Sequence, residues 1–335
     1  MRIGFNPHKD VGIKPSAYQH QVVIPVYIPN QEGYFKDSFV IFQRCIRSLL
    51  ATVHDQTFVT IVNNGSDKFV REYLDALLAE GRIHEVIHTE NIGKANAIIK
   101  GLSGNGIPLL TISDADVLFC SGWQKATYDI FQSFPKAGVV GVVPQFKVLN
   151  YRCENLIAAH FFDSRLRFVR VKDPASIQHF HQSIGWKPID AELLERSLAI
   201  QAADGTDALV GTGHFMATYR KAIFDEIQTY QRYLLGGNTE GYLDGLAVKK
   251  DLWRLTTTEN YAFHMGNIDE PWMEEIRWAQ KPQVPSLQLA PVRNANVVWL
   301  FFVNKIFKRL LANTYFKRKV FYRFKKLPAH LATKY

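Results

Sequence analysis

The sequence has 335 residues, of which 47% are hydrophobic and 21% are charged, and these proportions are typical of a folded protein with one or two domains rather than a disordered chain. The net charge of +9 is uneven, because residues 276–335 contain 13 Lys and Arg and no Asp or Glu. The first 275 residues hold the other 27 Lys and Arg against all 31 Asp and Glu, so a slightly acidic body precedes a strongly basic tail.

Cysteine spacing and apolar run length exclude several classes of protein. Cys45, Cys120 and Cys153 are far apart and form no CxxC pair, which argues against a zinc site or a disulfide framework and favours a reducing cytoplasm. The first 20 residues lack the apolar core of a signal peptide. The apolar run Val297–Val303 is far shorter than the roughly 20 residues that span a bilayer. We therefore predict a cytoplasmic protein.

Strand and helix patterns alternate over about the first 145 residues. The predicted strands are near-continuous apolar runs, which is typical of a parallel sheet covered by helices on both faces. In chain order the predicted elements are a strand at 21–28, a helix at 37–53, a strand at 58–64, a helix at 68–81, a strand at 85–89, a helix at 93–102, a strand at 107–113, a helix at 121–134 and a strand at 137–146.

The following residues are less regular. The pattern predicts a helix at 191–202, a strand at 208–219, a helix at 220–230, a helix at about 243–252 and a strand at 258–266. Four prolines then mark a linker before the basic tail: Pro271, Pro282, Pro285 and Pro291. We expect three parts, at residues 1–145, 146–275 and 276–335.

Two carboxylates one residue apart follow the predicted strand "IPLLTIS". On an extended chain the side chains of Asp114 and Asp116 would point the same way and repel each other unless a cation lies between them. Hard divalent cations prefer such oxygen ligands. Tyr27, Asn63 and Asn64 also lie at the carboxyl ends of predicted strands, where ligands bind in sheets of this kind.

These motifs together resemble a known family. The segments "VVIPVYIPN", "RSLLATVHDQTFVTIVNNGSD", "ENIGKANAIIKGL" and "ISDADVLF" are similar, in order and spacing, to those of family 2 glycosyltransferases, and the last resembles their DxD motif. More loosely, "LVGTGHFMATYRKAIFDEI", "GYLDGLAV" and "YAFHMGN" resemble the acceptor-side half. The resemblance extends from Val22 to Asn267.

The resemblance implies a fold and a reaction. The fold is α/β of the GT-A type, a mostly parallel, Rossmann-like sheet flanked by helices, here with a C-terminal basic amphipathic helical tail. Residues 1–145 would be the half that binds the nucleotide sugar and 146–275 the half that binds the acceptor. The reaction is metal-dependent transfer of a hexosyl or hexosaminyl group from a UDP-linked donor to a glycan or lipid-linked acceptor in cell-surface polysaccharide biosynthesis. It proceeds by direct displacement, which inverts the anomeric centre.

The resemblance also assigns donor and metal residues. Mn2+ or Mg2+ would be bound by Asp116, with Asp114 and His264 assisting, and Asp114 could instead hold the ribose. A solvated turn at Asp114–Asp116 and a structural role for His264 are the alternatives. The expected residues of the nucleotide-sugar site are Pro25, Tyr27, Asn63, Asn64, Lys94, Asp114, Ala115 and Asp116.

Three further observations concern residues that could belong to the same site. Asn63 and Asn64 replace the acidic pair of many members, but amides can still bind a base or ribose. Lys94 begins a helix, where backbone N–H groups and an ammonium suit a diphosphate, although it could be an exposed helix lysine. The side chains of Trp123, Trp186 and Trp272 could stack on a sugar or belong to the core.

The acceptor hydroxyl needs a general base, and we expect Asp244 in this role with Glu240 as the reserve. Leu243 precedes Asp244 where the family usually has Glu-Asp. The alternative is that Asp244 is an acidic residue near a helix N-terminus, stabilised by the helix dipole. We predict that Asp244→Asn abolishes transfer while nucleotide binding remains.

The tail alternates aromatic, apolar and basic residues. Leu300, Val303, Phe307, Leu310 and Leu311 fall on one helical face, as in a helix that lies on an anionic membrane. We therefore expect residues 297–326 to bind the inner membrane surface, which would make the protein peripheral on the cytoplasmic face. The alternative is a C-terminal helix packed on the domain. No nucleic-acid partner is expected, because no binding motif for one is present.

Two other functions stay open from the sequence. A sugar nucleotidyltransferase should carry a Gly-rich basic loop after the first strand, but "PVYIPNQEGYF" contains only Gly33 and no Lys or Arg. A non-catalytic, membrane-associated binding protein could retain the same fold.

Overall fold

The computed structural model describes residues 4–227, 230–235, 239–276, 278, 282–284, 286–293 and 295–335, with Thr239 and Glu240 described by their backbone alone. The predicted linker residue Pro285 and the side chain of the reserve base Glu240 therefore lie outside the described residues. The other residues predicted to form the site are all described.

The chain forms an α/β structure in which helices pack against a central sheet, as predicted. The strands are β1 His20–Val26, β2 Thr57–Asn64, β3 Glu85–Thr89, β4 Leu109–Ser113, β5 Val117–Phe119, β6 Ala137–Gly141, β7 Leu166–Arg170, β8 Arg196–Gln201, β9 Asp207–Val210, β10 Met216–Arg220, β11 Trp253–Thr256 and β12 Ala262–His264. The helices of the body are α1 Ser38–Thr52, α2 Lys68–Ala79, α3 Lys94–Leu102, α4 Trp123–Ser133, α5 Glu154–Ala159, α6 Pro174–Ser183, α7 Thr239–Lys249 and α8 Trp272–Glu275.

Ten strands of the described chain form one mixed sheet in the order β3-β2-β1-β4-β10-β6-β11-β9-β8-β7. Strands β3, β2, β1 and β4 are parallel, as their continuous apolar sequences predict. Strand β10 is antiparallel to both β4 and β6, between which it lies, and β9, β8 and β7 continue the sheet in antiparallel pairs. Strands β5 and β12 form a separate two-stranded sheet.

Three predicted elements of the second half are wrong. The predicted helix at 191–202 is mostly strand β8, which pairs with β7 and β9 on its two sides. The predicted strand at 208–219 is divided into β9 and β10 around Gly211, whose φ of +94° is unsuited to an extended strand. The predicted helix at 220–230 forms only the 3-10 turn Lys221–Phe224 among the described residues. Short apolar runs do not distinguish helix from strand, and tertiary pairing decides between them.

A buried polar network crosses the core beneath β1. The imidazole of His20 has Nε2 2.6 Å from Thr111 Oγ1 and Nδ1 2.8 Å from the Tyr128 hydroxyl. The Nε2 atom of His54 lies 2.7 Å from the same hydroxyl. Burial, and to a smaller extent the nearby His54, lowers the pKa of His20 well below its ordinary value of 6.5. The folded protein therefore holds this imidazole neutral.

We expect the free energy of unfolding to decrease as the pH falls below 6.5. In that range the unfolded chain binds a proton at His20 that the folded chain does not, so each pH unit can cost up to about 1.4 kcal/mol. Urea denaturation at several pH values tests this. The variant His20→Gln, which cannot titrate, should show a shallower dependence. Equal slopes for the two proteins would contradict the expectation.

The basic tail packs on the second half of the domain instead of forming one continuous helix. It contains α9 Val297–Phe301, α10 Lys308–Ala312, α11 Tyr322–Phe324 and α12 Ala329–Lys334, with π-helical turns at Phe302–Phe307 and Phe316–Phe321. The indole N–H of Trp299 donates to Asp251 Oδ1 over 3.1 Å. The buried side chains of the described part of the tail are Val303, Phe307, Phe321, Tyr322, Lys325, Leu327, Leu331, Ala332 and Tyr335.

The predicted apolar face of the tail is therefore divided. Val303 and Phe307 are buried, and Phe307 packs in a core cluster of the domain, whereas Leu310 is exposed. A different set of apolar side chains is exposed beside Lys305 and Arg309, namely Val297, Val298, Phe301, Phe302 and Ile306. In the described part of the chain, no helix combines the length and the hydropathy that crossing a membrane requires.

Candidate active site

A cavity of about 570 Å³ lies where the parallel strands β1, β2 and β4 end. We call it the first cavity. Seven of the eight residues predicted for nucleotide-sugar binding line it: Pro25, Tyr27, Asn64, Lys94, Asp114, Ala115 and Asp116. The structure therefore brings these seven side chains together at this edge of the sheet, which is where ligands bind in sheets of this kind.

The eighth predicted residue, Asn63, is buried beside the cavity and does not line it. Its Nδ2 atom lies 3.0 Å from His88 Nδ1, and its Oδ1 accepts from the Ser66 N–H over 3.0 Å. Asn63 thereby shapes the turn after β2. Asn64, one residue later, accepts at Oδ1 from the Ile92 N–H over 3.0 Å and connects β2 to the loop before α3.

Lys94 is positioned by an unusual backbone at the start of α3. Gly93 has a φ of +88°, and a Cβ atom there would lie 2.7 Å from the carbonyl oxygen of Tyr233, so only glycine fits. The backbone N–H of Lys94 donates to the Leu234 carbonyl over 3.0 Å. The backbone N–H of Lys94 is therefore already engaged. Its ammonium, which lies 2.7 Å from Asp114 Oδ1, is the group that could contact a phosphate.

The two aspartates lie in the turn between β4 and β5, not on an extended strand as expected. Asp114 is directed to Lys94, while Asp116 is directed to His264, whose Nε2 lies 3.4 Å from Asp116 Oδ2. The small sheet of β5 and β12 creates this second contact, because it pairs Val117 with His264.

Asp116 and His264 have unsatisfied polar atoms. The Asp116 side chain is 31% exposed, but its Oδ1 atom is buried, and neither this atom nor His264 Nδ1 has a hydrogen-bond partner among the described residues. Burial raises the pKa of Asp116 to about 6, with His264 opposing and Asp114 adding to the shift. A carboxylate oxygen and an imidazole nitrogen without hydrogen-bond partners are groups that could bind a cation.

The protein would supply few ligands to that cation. Among the described residues, no group of three or more His, Cys, Asp or Glu side chains could hold a metal ion by itself. Asp116 and His264 remain as candidate ligands, with Asp114 engaged by Lys94. A two-ligand site leaves room for oxygens of a bound ligand, as in sites where substrate phosphates help to bind the metal.

A second cavity, of about 650 Å³, adjoins the first at Asp114, which lines both. Trp186 lines it and is exposed, whereas Trp123 is a core residue that donates to Thr52 Oγ1 over 3.2 Å. Trp272 packs instead on His179. The other polar residues that line the second cavity include Gln145, Lys147, His181, Thr212, His214, Asp244 and His264.

Lys334 and Tyr335 contact Lys147, one of the residues that line this second cavity. The Lys147 ammonium donates to the carbonyl oxygen of Lys334 over 3.1 Å and lies 5.6 Å from the centre of the Tyr335 ring. Tyr335 itself is buried, and its hydroxyl donates to the Arg196 carbonyl over 2.9 Å. Lys334 and Tyr335 therefore support Lys147 from the side away from the cavity lining.

Asp244 lines the second cavity, but its carboxylate is only 1% exposed. Its Oδ1 lies 2.6 Å from Nη1 of Arg254, a completely buried cation that also donates to the Thr212 carbonyl. Its Oδ2 lies 3.6 Å from His214 Nδ1. Burial favours a higher pKa for Asp244, but His214 and Arg254 outweigh it and hold that pKa below its ordinary value.

His214 and Arg254 are residues of this cavity and its wall that the sequence patterns did not predict. His214 lies in the quoted segment "LVGTGHFMATYRKAIFDEI", where the glycines on each side of Thr212 were the available signal. Arg254 lies on a strand that was not predicted, so its contact with Asp244 had no signal.

Comparison with known proteins adds the family. Residues 22–198 match the family described as Glycosyl transferase family 2, which is more than half of the chain. The chain belongs to glycosyltransferase family 2. Membership places its α/β domain in the glycosyltransferase class of enzymes. No curated protein matches the sequence at a significant level.

Solved structures similar to this glycosyltransferase include TarS 1-349 of S. aureus, with 9% identity and a TM-score of 0.45 over 74% of this chain and 60% of that chain. The same protein in complex with UDP-GlcNAc has 11% identity and a TM-score of 0.46 over 76% and 60%. The mannosyltransferase PcManGT from Pyrobaculum calidifontis, in complex with GDP-Man and Mn2+, has 14% identity and a TM-score of 0.42 over 74% and 57%. The chain thus spans about 60% of the length of these proteins.

Proposed function

We propose that this glycosyltransferase uses a divalent cation to transfer a sugar from a UDP-linked donor to a glycan or lipid-linked acceptor. The observation that carries the proposal is the cluster of Lys94, Asp114, Asp116 and His264 at the ends of parallel strands. The cluster lies where two cavities meet at Asp114, so two substrates could react there.

In this proposal the first cavity binds the donor. Asp116 and His264 would hold Mn2+ or Mg2+, because they present a buried carboxylate oxygen and an imidazole nitrogen that lack hydrogen-bond partners in the described chain. The cation would neutralise charge on the departing diphosphate. The Lys94 ammonium, which is paired with Asp114, adds positive charge to the first cavity. Lys94 and Asp114 together would orient the ribose or the diphosphate.

The second cavity then binds the acceptor. Trp186 is exposed there and offers an aromatic face to a sugar ring. Asp244 and its neighbour His214 lie in the same cavity, where an acceptor hydroxyl would lose its proton. Attack from this side displaces the nucleoside diphosphate directly, which inverts the anomeric centre.

Calorimetric titration of UDP-, GDP- and dTDP-linked sugars, with and without Mn2+, tests the proposal. We expect metal-dependent binding of UDP-sugars and slow release of UDP when water replaces the acceptor. A sugar nucleotidyltransferase would instead form pyrophosphate from a nucleoside triphosphate and a sugar 1-phosphate. A non-catalytic binding protein would bind the donor without releasing UDP. Absence of metal-assisted binding of any sugar nucleotide would contradict the proposal.

The tail provides a second part of the proposal, namely peripheral binding to an anionic membrane surface such as the inner face. Val298 and Phe301 are 78% and 60% exposed, next to the exposed cations Lys305 and Arg309. Apolar side chains flanked by cations are typical of segments that insert between anionic headgroups. Such a location would bring the second cavity to lipid-linked acceptors of cell-surface polysaccharide synthesis.

We expect the double variant Val298→Glu, Phe301→Glu to bind phosphatidylglycerol vesicles at least about 10-fold more weakly, because burying each native side chain contributes about 1.5–3 kcal/mol. Vesicle sedimentation measures this. The matched control is Leu78→Glu, which changes an exposed leucine on α2. Deleting the whole tail is a poorer test, since it would also remove the buried Phe321 and Tyr322. Equal binding by the double variant and wild type would refute the membrane role.

A further inference from the structure

We propose that His214 is the base that takes the proton of the acceptor hydroxyl, and that Asp244 is a positioning residue that holds its ring. The inference rests on the proposed glycosyl transfer and assigns one step of it. It changes the expectation from sequence, in which Asp244 itself receives the proton.

The sheet places His214 beside the aspartate turn. Strand β10 is antiparallel to β4 and pairs Met216 with Ser113, and the Asp114 N–H donates to the Phe215 carbonyl over 2.7 Å. His214 is the next residue along and lines the second cavity with 42% of its side chain exposed. An acceptor in this cavity can therefore contact the imidazole within the region that Asp114 shares with the donor cavity.

Asp244 is poorly suited to accept a proton from a substrate. Its carboxylate is almost completely buried, and Oδ1 is held by the buried guanidinium of Arg254 at 2.6 Å. A carboxylate stabilised in its charged form by an arginine is a weak base. An acceptor hydroxyl would also need to displace surrounding atoms to reach it.

The same carboxylate is well suited to orient a histidine. Its Oδ2 atom is buried and accepts no hydrogen bond within the described chain, and His214 Nδ1 lies 3.6 Å away. Catalytic hydrogen bonds are often this long before substrate binds. A proton on Nδ1 would be shared with Asp244, so Nε2 would carry the lone pair and an acceptor hydroxyl would approach the ring there. Arg254 in turn prevents the carboxylate from rotating.

The proposed step balances in protons and electrons. The acceptor oxygen forms a bond to the anomeric carbon as its proton moves to Nε2 of His214. The bond from that carbon to the phosphate oxygen breaks, and its electron pair leaves with the nucleoside diphosphate. The resulting imidazolium is stabilised by the Asp244 carboxylate and later loses its proton to solvent through the open cavity.

Other titratable or charged groups face the same cavity, so a pH profile of the wild type alone cannot assign the base. Among the described residues they are Asp114, Lys147, Tyr151, His181 and His264, in addition to Asp244 with its partner Arg254. The test must therefore compare variants, and each variant must be checked for donor binding.

The experiment measures UDP release from the UDP-sugar that binds in calorimetry, with water as the acceptor, for wild type and His214→Gln between pH 5 and 9. We expect the rate of His214→Gln to fall by about 100-fold or more, with the donor dissociation constant unchanged and the acidic limb of the profile lost. His179→Gln is the matched control, because this residue of α6 contacts Phe263 and Trp272 and is not among the residues lining either cavity.

Three outcomes are distinguishable. A rate loss confined to His214→Gln supports the inference. Normal UDP release with an unchanged acidic limb in His214→Gln overturns it while leaving the proposed transferase function intact. Absence of donor binding by the wild type overturns the proposed function itself. As a readout independent of turnover, the ¹⁵N spectrum of the His214 ring, assigned by its loss in His214→Gln, should report a proton on Nδ1, and a proton on Nε2 instead would also overturn the inference.

Discussion

The variant Asp116→Asn is expected to lose metal-dependent binding of the sugar nucleotide. The substitution removes the negative charge and replaces one candidate metal oxygen by an amide nitrogen or a neutral oxygen, leaving His264 with a weakened partner. Mutation of a residue that only hydrogen-bonds to a metal ligand typically weakens metal affinity by about 10–100-fold. Loss of a ligand itself should therefore weaken donor binding in the presence of Mn2+ by about 100-fold or more. Calorimetry with and without Mn2+ measures the change.

The thermal stability of the variant distinguishes loss of a metal ligand from misfolding. Because burial raises the pKa of Asp116 to about 6, above its ordinary value of 3.8, the ionised carboxylate destabilises the folded metal-free protein at pH values above 6. Asn removes that cost, so the melting temperature of metal-free Asp116→Asn at pH 7.5 should equal or exceed that of the wild type. Asp129→Asn, which breaks a surface ion pair with Lys125, is the matched control and should bind donor normally. Unchanged metal dependence in Asp116→Asn would contradict the metal site.

The variant Asp244→Asn is expected to destabilise the fold strongly as well as to abolish transfer. Arg254 is completely buried, and Asp244 is its ion-pair partner in the core at 2.6 Å. Removing one member of a buried ion pair leaves an uncompensated charge and costs about 3–5 kcal/mol. Urea denaturation should show a loss of this size, and the variant that remains folded should still bind donor through the first cavity.

A matched surface pair provides the comparison. Asp207 pairs with Arg167 at 3.0 Å, but both side chains are partly exposed, so Asp207→Asn should cost about 1 kcal/mol or less. The double variant Asp244→Leu, Arg254→Met should recover much of the stability that Asp244→Asn loses, because it removes both buried charges. If Asp244→Asn and Asp207→Asn cost the same, the buried pair does not contribute as proposed.

The first half of the site could be predicted because it depends on local sequence. Continuous apolar strands followed by polar residues predicted which side chains meet at the edge of the parallel sheet. The period of two along a strand explains the one difference at β2, where Asn64 faces the cavity and the adjacent Asn63 does not. Sequence gave no rule for choosing between these neighbours.

The second half could not be predicted because it depends on strand pairing between distant residues. Insertion of β10 between β4 and β6 brings His214 close to Asp114, 100 positions earlier. Arg254 follows Asp244 by only ten positions, but it lies on β11, a strand that the sequence pattern did not predict. The wrong helix at 191–202 has the same origin, since the apolar and helix-forming residues there are fixed as a strand only by β7 and β9. Antiparallel insertions of this kind have no local sequence signal.

The packing of Tyr335 behind Lys147 has a practical consequence for the interpretation of variants in the tail. Lys147 lines the second cavity, while its ammonium donates to the Lys334 carbonyl and lies 5.6 Å from the centre of the Tyr335 ring. A substitution at Tyr335 would therefore remove support from one side of that cavity without changing Lys94, Asp116 or His264. Sequence differences in this part of the tail should be interpreted as changes to the cavity as well as to the tail.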